Sequence, residues 1–428
     1  MSVLKVLLEA PILTQSGYGV HSRLVFESIK DNSNLEIHIA PLQWGTTSWI
    51  TNLDPVIENG IRKFHEYHNL CKQANKSPEY DIQIHVGIPN EFEKKARYSV
   101  MVTAGIETDR VSWSWIAKSH QGIDKIIVPS EHSRNTYAGT TYEVINNNNN
   151  TKSEISCGCP VVTVPYPVRE IEAADMELDF ETDFNFLNIG LLGPRKNIEN
   201  CVRWFLKEFK NEENVGLVLK VGLSKGTQID RQATLDILRN VIKSEPDRKC
   251  KIYLLHGNLT ESEIRSLYLH PKIKALVTTT HGEGFGLPIF EAAFTGMPVV
   301  ATDWSAHLDF LQAKVKKNGK EKNKKLFAKV DFKLGEIPKQ VVWKDILVEG
   351  SKWAYPEELS FKKQIRAVYK NYNMYQSWAK TLKGKILESH SLNNILEKMS
   401  NEILEDLPGD LTQRLLQENQ NNDVVVFE

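Results

Sequence analysis

HGEGFGLPIFEAAFTGMPVVATD, from His281 to Asp303, is the stretch that decides the reading of this chain. Just ahead of it, KALVTTT (274–280) is a short, apolar, β-branched run of the kind that forms a buried strand. Gly282, Gly284 and Gly286 then let the backbone turn tightly and approach a ligand closely. Pro288 suits the first position of a helix, where a missing N–H costs nothing. IFEAAFT is that helix, Gly296 its stop, and PVVATD the next strand. Unpaired N–H groups at the helix start, with the positive end of its dipole, favour phosphate. Glu291 falls in the first helical turn, where a carboxylate can accept two hydroxyls, as from the vicinal diol of a ribose. Glu283, on the turn, can reach a second polyol such as a transferred sugar. The plain alternative is a βαβ turn with two solvated glutamates, but three glycines and a proline at these positions are hard to explain by packing.

The segment EGFGLPIFE, two glutamates separated by seven residues, resembles the signature of retaining GT-B glycosyltransferases of the family 4 type. The resemblance implies that Glu291 binds the nucleotide ribose and that Glu283 contacts the donor sugar. It also implies that backbone N–H groups around the turn hold the diphosphate, which makes Gly284, Phe285, Gly286 and Leu287 donor-binding candidates.

Outward from the motif, the chain alternates strand and helix twice. VLKVLLEA, NLEIHIAPL, YDIQIHVGI, YSVMVTAG, DKIIVPSE and CPVVTVPYPV read as strands of a first series. Helices lie between them, one of them capped by Ser130. After Val168 the acidic stretch REIEAADMELDFETD contains no strand and reads as an interdomain linker. FNFLNIGLL, GLVLKVG and CKIYLLHG open a second series, and Thr260 with Glu263 forms a capping box before IRSLYLH. Two such series predict an α/β protein with two Rossmann-like, doubly wound parallel-sheet domains facing a cleft, and ligands bind beyond the carboxyl ends of such strands. The same GT-B architecture follows from the resemblance. Residues 1–170 are expected to form an acceptor-side domain and 171–400 a nucleotide-sugar donor-binding domain, with a C-terminal helix and polar tail over 401–428.

Composition sets bounds on this reading. The 428 residues suffice for two ordinary domains, and a net charge of -1 argues against whole-surface attraction to nucleic acid or anionic lipid. No apolar run is long enough to span a bilayer, and MSVLKVLLEAP reads as a first strand rather than a signal peptide. Five cysteines, an odd number, suggest a reducing cytoplasm, and Cys157 with Cys159 lacks the second pair that a zinc site needs. Two segments read as loops: the polar run at Asn146 to Asn150, and the lysine-rich KVKKNGKEKNKKLFAK from Lys314 to Lys329. The latter is either solvated or a contact for a polyanionic acceptor such as DNA.

Further candidates surround the motif. In GLLGPRKN (Gly190 to Asn197), Asn197 can cap the helix beginning at Ile198, which puts Arg195 and Lys196 beside exposed N–H groups where they would neutralise a leaving diphosphate. The family resemblance implies a phosphate-gripping Lys here, matched by Lys196. The usual Arg position, directly after Gly190, holds Leu191, which leaves Arg195 as its substitute. TQSGYGVHSR offers Gly17 and Gly19 for close approach to the donor phosphates or the acceptor. The family resemblance puts a histidine near the cleft, where this chain has ETDR instead. Glu107 or Asp109 is therefore expected to orient the acceptor hydroxyl or stabilise positive charge on the sugar. His21 and His281 lie close to the glycine turns. Base contacts are expected from backbone around His256 to Leu259, with Gly257 and Asn258 as candidates. Trp44, Trp49, Trp113 and Trp115 crowd loops of the first half, where sugars can stack on aromatic faces, although core filling also uses such rings.

The expected reaction is transfer of a glycosyl group from a UDP-, GDP- or similar nucleotide sugar to the hydroxyl of a glycan, lipid-linked or small-molecule acceptor, with no cofactor required. No Asp-x-Asp pair demands a metal. The alternatives are a DNA-modifying glycosyltransferase acting on a hydroxylated base and a non-catalytic nucleotide-sugar-binding protein.

Overall fold

A computed structural model describes residues 3–45, 47–145, 151–224, 226–317 and 320–417. The first half builds six strands: β1 (Leu4–Ala10), β2 (Leu35–Pro41), β3 (Tyr80–Val86), β4 (Ala96–Val102), β5 (Lys125–Val128) and β6 (Val161–Thr163). They pair in parallel in the order β2-β1-β3-β4-β5-β6. The second half supplies β7 (Phe184–Leu191), β8 (Val215–Gly222), β9 (Lys251–Leu255), β10 (Ile273–Val277), β11 (Val299–Thr302) and β12 (Ala328–Val330). Its order is β9-β8-β7-β10-β11-β12, again parallel.

Helices cover both faces, so central strands are buried on both sides and read as near-continuous apolar runs. Ile82, Ile84, Val86, Val100 and Val102 are fully buried in the first sheet, as are Leu217, Val218 and Leu219 in the second. Strand order reverses between β1 and β3 in one sheet and between β7 and β10 in the other. Such a reversal opens a crevice at the carboxyl ends of the strands on either side.

Two helices, Leu392–Leu404 and Gly409–Gln417, return from the second half and pack on the first. Lys125, buried at the start of β5, reaches Asp406 Oδ2 at 2.6 Å and Glu402 Oε2 at 3.2 Å. Arg414 Nη1 meets Asp81 Oδ1 at 2.7 Å. Residues 169–183, the expected linker, form neither helix nor strand. The asparagine run 146–150 and the tail beyond 417 lie outside the described residues.

The lysine-rich segment departs from expectation. Instead of a loop it forms an antiparallel pair, Gln312–Lys317 with Lys320–Lys325, before entering the sheet as β12. Ala313 and Val315 pack against the core, which anchors the hairpin through alternate residues. Lys325 and Lys329 pair with Asp303, and Lys324 lies 4.4 Å from the centroid of the Trp378 ring.

Candidate active site

The crevice of the second sheet is built from the segments that follow β7 and β10. After β7 the chain makes a single 3-10 turn, Pro194–Lys196, and enters the helix Ile198–Phe209. Asn197 stands at the expected cap position but does not cap. Its backbone is left-handed, with φ 53°, and its Nδ2 donates to Thr279 O at 3.2 Å while Thr279 Oγ1 donates to Asn197 O at 2.8 Å. The side chain therefore ties the β7 turn to the end of β10. His281 N donating to Arg195 O at 2.8 Å and Arg195 Nη1 donating to Gly282 O at 2.7 Å complete the seam.

This seam brings Arg195, Lys196 and Glu283 together. Lys196 Nζ lies 2.6 Å from Glu283 Oε1, and Arg195 Nη1 lies 3.0 Å from Oε2. Burial opposes the charge on Glu283, but Lys196 and Arg195 outweigh it and hold the carboxyl at about 2. Burial pulls the Lys196 ammonium below its usual range against the attraction of Glu283. Glu283 N donates to Ser305 Oγ at 3.0 Å, and Ser305 carries φ 82°, a conformation that costs a non-glycine residue energy and that clusters at functional sites.

The first half closes directly on this turn. Glu107 Oε1 pairs with Arg195 Nη2 at 2.9 Å, and Ser130 Oγ donates to Gly284 O at 2.8 Å. A Cβ at Gly282 would sit 2.2 Å from Glu107 O, and one at Gly284 would sit 2.8 Å from Gly105 Cα. The close approach that these glycines permit is thus made by backbone of the other half. Asp109 Oδ1 accepts from Lys352 N at 2.7 Å, a second strap between the halves, so its carboxylate is engaged away from the cations. Tyr166 and Phe285 meet with ring centroids 4.8 Å apart.

The helix after the turn spans Leu287–Thr295, begins from Gly286 at φ 92° and ends at Gly296. Glu291 is its fifth residue, one place beyond the first turn where it was expected. Tyr268 Oη donates to Glu291 Oε2 at 2.9 Å. Burial pushes this carboxyl up to about 7, partly offset by the tyrosine hydrogen bond. Glu291 lines a largely apolar cavity of about 320 Å³ between the halves, with Val20, Leu24 and Tyr166 on one side and Leu287 and Phe290 on the other.

A second cavity of about 240 Å³ lies across Ile189, which lines both. Gly190, Gly257 and Asn258 all border it, as do Lys220 and His256. Asp230 organises this corner: its carboxylate accepts from Leu223 N at 3.0 Å, Ser224 N at 2.7 Å and His256 Nε2 at 2.8 Å.

The remaining candidates sit elsewhere. Gly17 opens the helix Gly17–Ile29 with open space around it, whereas Gly19 lets the helix start close on Thr14, since a Cβ there would lie 2.0 Å from Thr14 O. His281 Nδ1 donates to Ala354 O at 2.8 Å and has a structural place. His21 is buried beside Tyr166 with neither ring nitrogen partnered, and burial lowers it to about 4. Trp115 is core, and Trp44 lies against Tyr18 at 4.0 Å between ring centroids. Tyr268, Ser305 and Lys220 escaped the sequence reading. Only Lys220 left a signal there, as a charged residue inside the apolar strand GLVLKVG.

Among described residues no group of His, Cys, Asp and Glu could hold a metal ion, and no helix is long and apolar enough to cross a membrane. No family model matches the chain. It is 28% identical over 119 residues to the serotype-specific mannosyltransferase WbdA of Escherichia coli; that stretch is 28% of this chain and only 13% of WbdA. Sucrose-phosphate synthase from Thermosynechococcus elongatus superposes over 97% of this chain and 100% of its own, at 12% identity and a TM-score of 0.58. Anabaena HepE, solved with UDP and glucose, covers 94% of this chain and 100% of its own, at 11% identity and a TM-score of 0.55. With its two facing six-stranded parallel sheets, the chain has the GT-B fold of these glycosyltransferases.

Proposed function

We propose that this protein is a retaining glycosyltransferase that moves a sugar from a nucleotide-sugar donor to an acceptor hydroxyl. One observation carries the reading above the others: Arg195 and Lys196 meet Glu283 at the strand-order reversal of the second sheet. The cavities beside Glu291 and Gly257 adjoin there along Ile189. In this reading a nucleoside occupies the cavities, with its ribose on Glu291 and its base against Gly257 and Asn258, and its diphosphate turns toward the cations. As the anomeric C–O bond breaks, charge grows on the diphosphate, and Arg195 and Lys196 stabilise it. The acceptor oxygen bonds to the anomeric carbon from the same face, and its proton passes to the departing diphosphate. Glu283, now paired to both cations, exchanges part of that pairing for hydroxyls of the donor sugar. Glu107 acts through Arg195 as a positioning residue.

In this reading residues 1–170 form the acceptor side and 171–400 the donor side. The described structure shows five free cysteines, which fits a reducing cytoplasm. Pairing of Lys325 and Lys329 with Asp303 weakens the lysine-rich hairpin as a DNA contact, so a glycan, lipid-linked or small-molecule acceptor is preferred. The mannosyl group named for WbdA is one candidate for the sugar.

The test is incubation with a panel of UDP- and GDP-sugars and simple hydroxyl acceptors, with product anomers read by proton NMR. Transfer with retained anomeric configuration is expected. An inverted product would remove the mechanism, and absence of transfer from every donor would remove the function.

A further inference from the structure

Lys220 is a cation out of place. It lies near the end of β8, in a strand whose neighbours Val218, Leu219 and Val221 are buried apolar residues. Its Nζ donates to Gly257 O at 2.7 Å, and among described residues no carboxylate pairs with it. A half-buried ammonium with one carbonyl partner is costly unless a ligand completes its shell. Burial alone pulls its proton affinity below the usual lysine range. Yet the side chain belongs to a residue that borders the cavity of about 240 Å³ shared with Gly190, Gly257 and Asn258, and Gly257, whose carbonyl its Nζ holds, borders it too. Beside it, Asp230 holds Leu223 N, Ser224 N and the His256 ring. Lys220 therefore supplies a charged donor at a cavity whose loop Asp230 organises.

We propose that Lys220 selects the donor nucleotide by donating to a ring carbonyl of the base, so that the site takes a uracil or guanine nucleotide and rejects adenine. This rests on the nucleotide-sugar reading above. The chemistry is one of mismatch. An ammonium has N–H donors and no acceptor. Uracil O4 or guanine O6 can accept from it, whereas the adenine amino group at the equivalent edge can only donate. Two donors facing each other in a confined cavity leave a buried polar group unmet, the situation in which binding sites discriminate most strongly.

The experiment is calorimetric titration of the full chain with uridine, guanosine and adenosine diphosphates, for the wild type, Lys220→Met and Lys220→Arg. In the wild type, whichever of UDP and GDP binds more tightly should exceed ADP by about tenfold or more. Lys220→Met should erase most of that ratio by weakening the preferred nucleotide and relieving the mismatch with ADP, and Lys220→Arg, which keeps donors, should retain it. The wild-type ratio needs no variant to fold. ADP binding as well as UDP and GDP would overturn the inference while leaving the nucleotide reading intact. So would an equal loss for all three nucleotides in Lys220→Met, which marks a purely structural role in holding Gly257. If no nucleotide binds, the donor reading itself falls and this inference with it.

Discussion

Glu283 and Glu291 belong to one motif, yet their surroundings drive them in opposite directions. Glu283, clasped by Lys196 and Arg195, is held at about 2, and Glu291, among apolar side chains, is raised to about 7. For Glu291 the sign follows from linkage. Below about 4.5, the ordinary value, it is protonated folded or unfolded. Between there and about 7 only the unfolded chain ionises, so folding weakens as pH rises through that window, by about 1.4 kcal/mol per unit at most, and levels off above it. Glu291→Gln should flatten this slope in thermal melts. Accepting ribose hydroxyls from both oxygens needs the carboxylate, so nucleotide binding should tighten as pH passes about 7, and titrations of Glu291→Gln should lose that dependence. Glu283 gives a different test. Its carboxylate competes with a diphosphate for two cations, and its removal leaves the half-buried Lys196 without a carboxylate partner and Arg195 with Glu107 alone. Glu283→Gln should melt lower than the wild type, and inorganic diphosphate should raise its melting temperature more than it raises the wild type's. Equal shifts would show that the cations do not face the diphosphate site. The glycine turn that carries Glu283 and the caps at Ser130 and Thr260 were legible in the sequence because each is a residue type at a motif position, whereas Asn197, expected to cap, does not. Which carboxylate keeps its proton was not legible, because that depends on neighbours such as Tyr268 that come from another helix.

At the level of elements, the glycine turn after β10 is where the two halves of the chain meet. Gly105 has φ 113°, and a Cβ there would lie 2.6 Å from Gly284 Cα, so it is constrained twice over. Gly105→Ala should force the halves apart and lower turnover by at least about tenfold, with limited proteolysis faster near residues 104–110. Unchanged turnover would mean that the closed contact is not used in catalysis. The sequence showed a glycine-rich turn and a helix start but not what comes near them, since backbone approach from residues far away in the chain leaves no local pattern. The lysine-rich hairpin was missed for a related reason. Its alternation of Ala313 and Val315 with lysines is short, and charge masks the strand period that core packing enforces.

For the whole molecule, strand-helix alternation made the two-sheet architecture readable in advance, because parallel sheets need buried apolar strands and crossover helices. The return of the last helices to the first sheet was not readable, since their amphipathic faces fit any apolar partner. Ile395, Met399 and Ile403 are buried there, each contributing roughly 1.5–3 kcal/mol, and Lys125 is enclosed by Glu402 and Asp406. Deleting residues 392–428 should therefore raise hydrogen exchange in β1 and β5 while β7 and β10 stay protected. Unchanged protection in β5 would show that the helices merely rest on the surface.

The measurement that bears most directly on the donor site is release of nucleoside diphosphate from a panel of labelled nucleotide sugars by the wild type and by Lys196→Ala. The expected result is release from at least one donor, lowered in Lys196→Ala by about a hundredfold, as for loss of one charge-stabilising group at a developing anion, and by more than in Glu291→Ala. Release that Lys196→Ala leaves unchanged, or no release from any donor, would contradict a glycosyltransferase built on the Arg195, Lys196 and Glu283 cluster.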